Sequence, residues 1–248
     1  MRANGIDFSK WAPEFTYIPG SVDFVVHRTS HGITEDIRFK KHAEASKPVA
    51  VREGYHYYEQ SSHWLAQVEL SLELAQEAKL DNLWWDAEED QWQNTFGKKM
   101  VNETIAAIAE YQKEYPDAGM YCNRNIYYLF EAWLGADYMN TIPLWLADPH
   151  HNKVIDWYIE GNDEPLWGDF REFKRPKGTW TYWQTSFLGD PDRYGITGKE
   201  AVDEDVFNGT REELLKLRGK NVAVCNVKRG VDKVRRFFDP RRNYRRPA

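Results

Sequence analysis

The chain has 248 residues with a net charge of −6, and 15% of them are aromatic. This length is enough for one large domain with a full core. The two cysteines, Cys122 and Cys225, suggest neither a disulfide framework nor a metal site. No apolar run approaches the roughly 18 residues of a membrane span, and no secretory signal pattern opens the chain. We therefore expect cytoplasmic synthesis and later release, or secretion through a signal that has been removed.

The first half of the chain alternates β-rich runs with helical patterns, as is typical of a parallel sheet with crossover helices. Runs of β-branched and aromatic residues predict five strands, at 5–8, 22–28, 48–58, 82–88 and 118–122. Apolar residues at helical spacing predict the intervening helices, at 35–46, 61–79 and 99–115, and a further one at 123–134 that ends before Gly135.

After Gly135 the pattern changes. Strands are predicted at 142–147, 179–184 and 201–207, and residues 149–177 form a long polar and aromatic insertion. Eight strands, about five of them in β/α units, favour a closed α/β barrel of a modified TIM-like type whose last strands lack crossover helices. We predict that this barrel occupies residues 1–210 as a single domain. The basic extension 211–248 is too short to be an independent domain. We expect a short helix at 211–218, followed by the stretch 222–227 and then by an Arg-rich terminus.

The extension differs strongly in charge from the rest of the chain. Residues 211–248 contain 13 Lys and Arg against 4 Asp and Glu, whereas residues 1–210 carry a net charge of −15. Such a basic tail can bind polyanions of any kind. A disordered, solubilising terminus is an equally good interpretation.

The most informative stretch is Leu-Trp-Trp-Asp-Ala-Glu-Glu at 83–89. Side chains alternate along a strand, so Asp86 and Glu88 point the same way, with Trp84 as an apolar wall beside them. Like charges and a low dielectric both raise a carboxyl pKa, so one of the two acids can stay protonated near neutral pH. A glycosidase needs such a pair, although a lone Asp-x-Glu more often marks a solvated strand end.

Eight short motifs follow one another along residues 4–209. They are Gly5-Ile6-Asp7-Phe8-Ser9 with Trp11, Phe24-Val25-Val26-His27-Arg28, Gly54-Tyr55-His56-Tyr57, Asp86-Ala87-Glu88, Met120-Tyr121-Cys122-Asn123, Pro143-Leu144-Trp145-Leu146-Ala147, Trp183-Gln184 and Val202-Asp203-Glu204-Asp205-Val206-Phe207. Each is weak alone, but in this order they resemble the glycoside hydrolase family 25 lysozymes, the Chalaropsis-type N-acetylmuramidases.

The resemblance implies a (β/α)5(β)3 barrel that cleaves the β-1,4 bond between N-acetylmuramic acid and N-acetylglucosamine in peptidoglycan, without a cofactor. It implies that Glu88 is the proton donor and that Asp86 orients and stabilises the substrate's N-acetyl group. Asp7 and Asp203 match further acids on the rim, which would tune the pair or hold substrate or water. On a strand, the backbones of Asp86 and Glu88 would lie about 6.6 Å apart. This exceeds the roughly 5–5.5 Å between the two carboxyl groups that is expected when one of them is the nucleophile, which favours substrate assistance.

Several residues near the predicted strand ends are candidates for substrate binding, namely Arg28, Tyr55, Tyr57, Tyr121, Trp145 and Trp183. For each aromatic residue among them, core packing is as good an interpretation as stacking on a sugar. His56 is expected to be a hydrogen-bonded barrel residue rather than a catalyst.

The chain departs from the family pattern at a few positions. His31 stands where the family has an acid, Asp205 stands where it has asparagine, and Asp148-Pro149 follows the Leu-Trp-x-Ala strand where an aromatic residue is usual. These differences leave the central pair intact and predict altered glycan subsites.

The chain lacks the sequence signatures of other hydrolase classes. There is no His-Glu-x-x-His, Gly-x-Ser-x-Gly or phosphate-binding glycine loop, so neither a metal site nor a serine nucleophile is predicted. Two interpretations remain. One is a monomeric, bacteriolytic muramidase of the phage or prophage endolysin type, whose basic tail would bind an anionic wall polymer or lipopolysaccharide rather than nucleic acid. The other is a catalytically weak or inactive barrel that serves as a cell-wall glycan-binding or phage structural module.

Overall fold

The computed structural model describes residues 2–88, 97–147 and 180–223, and its main feature is a closed barrel of eight strands. The strands are β1 (Arg2–Phe8), β2 (Phe24–His31), β3 (Val51–Tyr57), β4 (Asn82–Asp86), β5 (Gly119–Asn123), β6 (Leu144–Ala147), β7 (Trp180–Gly189) and β8 (Val202–Thr210). Strands β1 to β7 run parallel to their neighbours, and β8 is antiparallel to both β7 and β1. The predicted modified TIM-like α/β barrel is confirmed.

Helices connect the strands between β2 and β6. They are α1 (Phe39–Ala45), α2 (Trp64–Ala78), α3 (Gly97–Tyr111), α4 (Arg124–Leu134) and α5 (Ala136–Met139). A last helix, α6 (Arg211–Ala223), follows β8 and contacts β1, β3 and β8. Each helix predicted from the sequence is present, with shifted ends. The last one continues past 218 into the stretch predicted to begin at 222.

The barrel also carries short strands and a 3-10 helix that were not predicted from the sequence. A two-residue strand, Thr34–Glu35, pairs antiparallel with the end of β2. Glu14–Phe15 pairs with Ile196–Thr197 in a separate small sheet. A 3-10 helix, Pro191–Tyr194, lies between β7 and β8. The predicted insertion 149–177 and the Arg-rich terminus lie outside the described residues.

Strand alternation divides the core into an inner and an outer part. The barrel interior is filled by large side chains from most of the strands and closed by α6 through Leu214; its members include Phe24, Val51, Trp84, Trp145, Tyr182 and Phe207. The outer faces of the strands pack against α2, α3 and α4. Because large side chains fill the interior, the acids predicted as site residues lie at the end of the barrel where the parallel strands terminate.

Candidate active site

The central carboxyl pair lies at the carboxyl end of β4. Asp86 is the last residue of that strand, and the backbone beyond it is fixed because the Ala87 N–H donates to the carbonyl of Tyr121 at 3.0 Å. The Glu88 N–H donates to the carboxylate of Asp86, and the Tyr57 hydroxyl donates to the Glu88 carbonyl at 3.2 Å. Hydrogen bonds to the backbone therefore hold both acids in place.

Asp86 is buried, with 3% of its surface exposed. Burial raises its pKa well above the ordinary range, the charges of Glu88 and Asp7 add to the rise, and Arg28 opposes it. Its Oδ1 atom is buried without a hydrogen-bond partner among the described residues. A buried, unpaired carboxyl oxygen is costly, and a substrate N–H or O–H can complete it.

Glu88 is the more accessible member of the pair. Burial is the main reason that its pKa is raised to about 7. Hydrogen bonds from Asn123, at 3.4 Å, and from Tyr121 lower the pKa, while the charge of Asp203 raises it. A carboxyl group with such a pKa is still largely protonated just below neutral pH, as general-acid catalysis requires.

Three further acids come from the two neighbouring strands β1 and β8. Asp7 lies opposite Asp203 in the β1–β8 register, and Asp205 shares the interior face with both. Burial, followed by the charge of Asp203, raises the pKa of Asp7 to about 8. The pKa of Asp203 is raised by burial and lowered by Lys199. Closure of the barrel thus adds Asp7 and Asp203, both predicted as site residues, to the central pair.

Two amide side chains hold the acids in position, and neither was predicted as a site residue. Gln184 donates through Nε2 to Asp7 Oδ2 at 2.6 Å and accepts from the Tyr121 hydroxyl at 2.8 Å. Asn123 contacts Glu88 and also caps α4 by accepting from the N–H groups of Asn125 and Ile126. The only sequence signal for either residue was its place inside a quoted motif.

The aromatic candidates fall into three groups. Tyr55, Tyr121 and Trp145 line the barrel interior, where little of their surface is open to a sugar. Tyr57 is half-buried at the rim, beside Glu88. Trp183 is not brought to the site, because it packs in the outer core cluster. Tyr57 is therefore the candidate best placed to contact substrate.

Arg28 is also fixed inside the protein. Its Nε donates to Asp36 Oδ2 at 2.8 Å, and 8% of the residue is exposed. Its charge acts on Asp86 from within the protein rather than from an open surface. His56 is fully buried between Ser30 and Gln67 and its pKa is lowered to about 3, chiefly by burial, as suits a neutral structural residue.

In the described ranges, no group of three or more His, Cys, Asp or Glu side chains has the arrangement of a metal site. Among the helices that the structure describes, none has both the length and the apolar character of a membrane span.

Comparison with known proteins identifies the fold. No protein-family model and no curated protein matches the chain. Among solved structures, a lysozyme from Streptomyces coelicolor matches with a TM-score of 0.65 and 19% identity, over 89% of this chain and 99% of that one. The catalytic domain of an endolysin from a Listeria monocytogenes bacteriophage matches with a TM-score of 0.62 and 20% identity, over 88% and 98% of the two chains.

A family 25 glycosyl hydrolase from Bacillus anthracis also matches, with a TM-score of 0.61 and 16% identity over 86% of this chain and 92% of that one. The protein thus has the barrel fold of the family 25 lysozymes. The family resemblance of the sequence is confirmed at the level of the fold.

Proposed function

We propose that the protein is a peptidoglycan hydrolase that cleaves the β-1,4 bond between N-acetylmuramic acid and N-acetylglucosamine. The observation that carries the proposal is the pair at the end of β4, in which Glu88 has a pKa of about 7 and Asp86 has an unpaired buried oxygen. The names of the structural neighbours, a lysozyme, an endolysin and a family 25 glycosyl hydrolase, agree with it.

In this proposal Glu88 protonates the glycosidic oxygen, because it is the member of the pair that combines access with a raised pKa. The N–H of the substrate's N-acetyl group donates to the unpaired Oδ1 of Asp86, which favours the ionised form of Asp86 against the effect of burial. Ionised Asp86 then stabilises the charge that develops at the sugar. The charges of Asp7 and Asp203 raise the pKa values of Asp86 and Glu88, respectively. Tyr57 contacts the sugar at the rim.

We propose that the substrate is bacterial peptidoglycan, that the protein acts as a monomer of the endolysin type, and that residues 211–248 help it to adhere to anionic wall polymers. The barrel would then supply the chemistry without a cofactor.

The alternative is a barrel that binds cell-wall glycan without cleaving it, as a wall-binding or phage structural module. The altered residues near the rim favour it, in particular His31, whose ring lies 4.6 Å from that of Tyr57. The intact pair of Asp86 and Glu88 argues for the enzyme.

Reducing-end release from purified peptidoglycan, with mass spectrometry of the products, tests the proposal. The wild type should release fragments with muramic acid at the reducing end, and Glu88→Gln should lower the rate at least about 100-fold through loss of the general acid. Glu114→Gln, on an exposed turn after α3, is the matched control and should keep the wild-type rate. Binding of the glycan without any release by the wild type would support the alternative module instead.

A further inference from the structure

Asp205 lies inside the barrel among the site residues, although the proposed chemistry gives it no role. It is 1% exposed. In the sheet register it lies opposite Gly5 of β1 and Gln184 of β7. Its carboxyl group interacts with that of Asp7, two residues further along β1.

The two oxygens of Asp205 have different surroundings. Oδ1 accepts from the Trp145 indole Nε1 at 2.8 Å. Oδ2 is buried and receives no N–H or O–H from another group in the described part of the chain. The acid that acts most strongly on Asp205 is Asp7. Two ionised carboxylates repel each other strongly in a site closed to water, so this arrangement favours one proton held by the pair.

The contacts also show which carboxyl group holds this proton. Asp7 accepts a hydrogen bond from the Gln184 amide and feels the positive charge of Lys199, and both favour its ionised form. Asp205 receives only the neutral Trp145 donor, and its closest charged neighbours are the acids Asp7 and Asp203. The proton therefore belongs to Asp205, and Asp7 is the acceptor.

We propose that Asp205 is a positioning residue that acts as a neutral carboxylic acid, donating its Oδ2 proton to Asp7 and so fixing the orientation of Asp7 beside Asp86. This inference rests on the proposed function for its catalytic consequence, but the position of the proton can be measured without activity.

The other charged and titratable groups around this pair are consistent with a retained proton. Those that face it come from several elements of the barrel and are Arg28, Tyr55, Asp86, Tyr121, Tyr182, Lys199 and Asp203. The two cations among them act on Asp7, Asp86 and Asp203, whereas the main electrostatic influences on Asp205 are the acids Asp7 and Asp203.

The position of Asp7 matters because its other contacts lead to the general acid. Gln184 joins Asp7 to the Tyr121 hydroxyl, which also lies within hydrogen-bonding reach of Glu88. A donor at residue 205 therefore fixes one end of a chain of hydrogen bonds whose other end is Glu88. Loss of the donor frees Asp7 to rotate and weakens the chain.

Infrared difference spectroscopy of the whole protein locates the proton directly. At pH 9, above the pKa of about 8 to which Asp7 is raised, Asp205 should still be neutral. The spectrum of the wild type minus that of Asp205→Asn should then contain the carbonyl band of a protonated carboxylic acid. A difference made only of carboxylate bands would mean that Asp205 is ionised, and would overturn the inference.

Kinetics on soluble, uncross-linked glycan strands test the positioning role. Asp205→Ala removes the donor and should lower kcat about tenfold or more, with KM changed less than threefold, because a displaced catalytic group costs rate more than binding. Asp205→Asn keeps an N–H for Asp7 and an oxygen for Trp145, so it should recover at least a third of the wild-type kcat. An Asn variant as slow as the Ala variant would overturn the role.

The two arms separate the possible failures. If the wild type cleaves no glycan, the proposed function fails while the infrared result still decides where the proton lies. If Asp205→Ala does not fold, the comparison of Asp205→Asn with the wild type decides instead, and an Asn variant below a third of the wild-type kcat contradicts the role.

Discussion

Glu53 provides the sharpest test of how this barrel handles buried acids. It projects from β3 into the interior, with 1% of its surface exposed. The Trp84 Nε1 donates to its Oε2 at 2.5 Å, and the Tyr182 hydroxyl donates to its Oε1 at 2.8 Å. Burial raises its pKa from 4.5 to about 7, against the lowering effect of these two hydrogen bonds.

This raised pKa makes the stability depend on pH with a definite sign. Between pH 4.5 and pH 7 the unfolded chain releases the Glu53 proton while the folded protein retains it, so the folded state loses stability as the pH rises. A shift of this size corresponds to about 3 kcal/mol of unfolding free energy across that window.

We therefore predict that Glu53→Gln is close to the wild type in stability near pH 4 and more stable by up to about 3 kcal/mol at pH 7. The new amide oxygen can accept from Trp84, and the amide N–H can donate to the Tyr182 hydroxyl, which accepts as readily as it donates. For a chain of this length the gain corresponds to a rise in Tm of roughly 6–12 °C.

Denaturant unfolding at pH 4, 5.5 and 7 measures the effect, with Glu53→Leu as the comparison. The Leu variant leaves the Trp84 and Tyr182 donors without an acceptor, so it should be less stable than the wild type at pH 4 by about 2 kcal/mol or more. If the difference between the Gln variant and the wild type is the same at all three pH values, Glu53 is not protonated in the folded protein and the reasoning is refuted.

Two further predictions concern groups around the central pair. Asn123→Ala should move the alkaline limit of activity to higher pH, because Asn123 lowers the pKa of Glu88, and should cost about 1 kcal/mol through loss of the α4 cap; a pH–rate profile in which the limit moves down would contradict this. Arg28→Met should cost about 3–5 kcal/mol in denaturant unfolding, because buried Asp36 loses its counter-charge and keeps only backbone N–H donors. Lys47→Met, which breaks an exposed ion pair, should cost less than about 1 kcal/mol.

Local patterns made much of the fold predictable. Alternating strand and helix runs depend on nearby residues, so the strands around Trp84 and Met120 and the helix ending before Gly135 were found near their true positions. The same locality explains why Asp86 and Glu88 were recognised as a pair. Alternation along a predicted strand at 82–88 put the two acids on one face; the strand in fact ends at Asp86, and Glu88 lies two residues beyond it.

Features that depend on register between distant strands were not predictable. The contact of Asp205 with Asp7 requires the antiparallel pairing of β8 with β1, and the pairing of β8 with β7 shifts register immediately before Asp205. Trp183 follows Tyr182, and alternation alone does not say which of two adjacent aromatic residues faces inward. The structure places Tyr182 inside the barrel and Trp183 outside it.

The site contains more acids than nearby cations among the described residues. Closure of the barrel brings acids from β1, β4 and β8 to one end, where burial raises the pKa values of Asp7, Asp86 and Asp205. Arg28 is the one buried Lys or Arg in the described part of the chain, and Asp36 already pairs with it. A site with many acids and few free cations keeps protons to limit repulsion between carboxylates. A reaction that begins with a protonated carboxyl group uses the state that such packing favours.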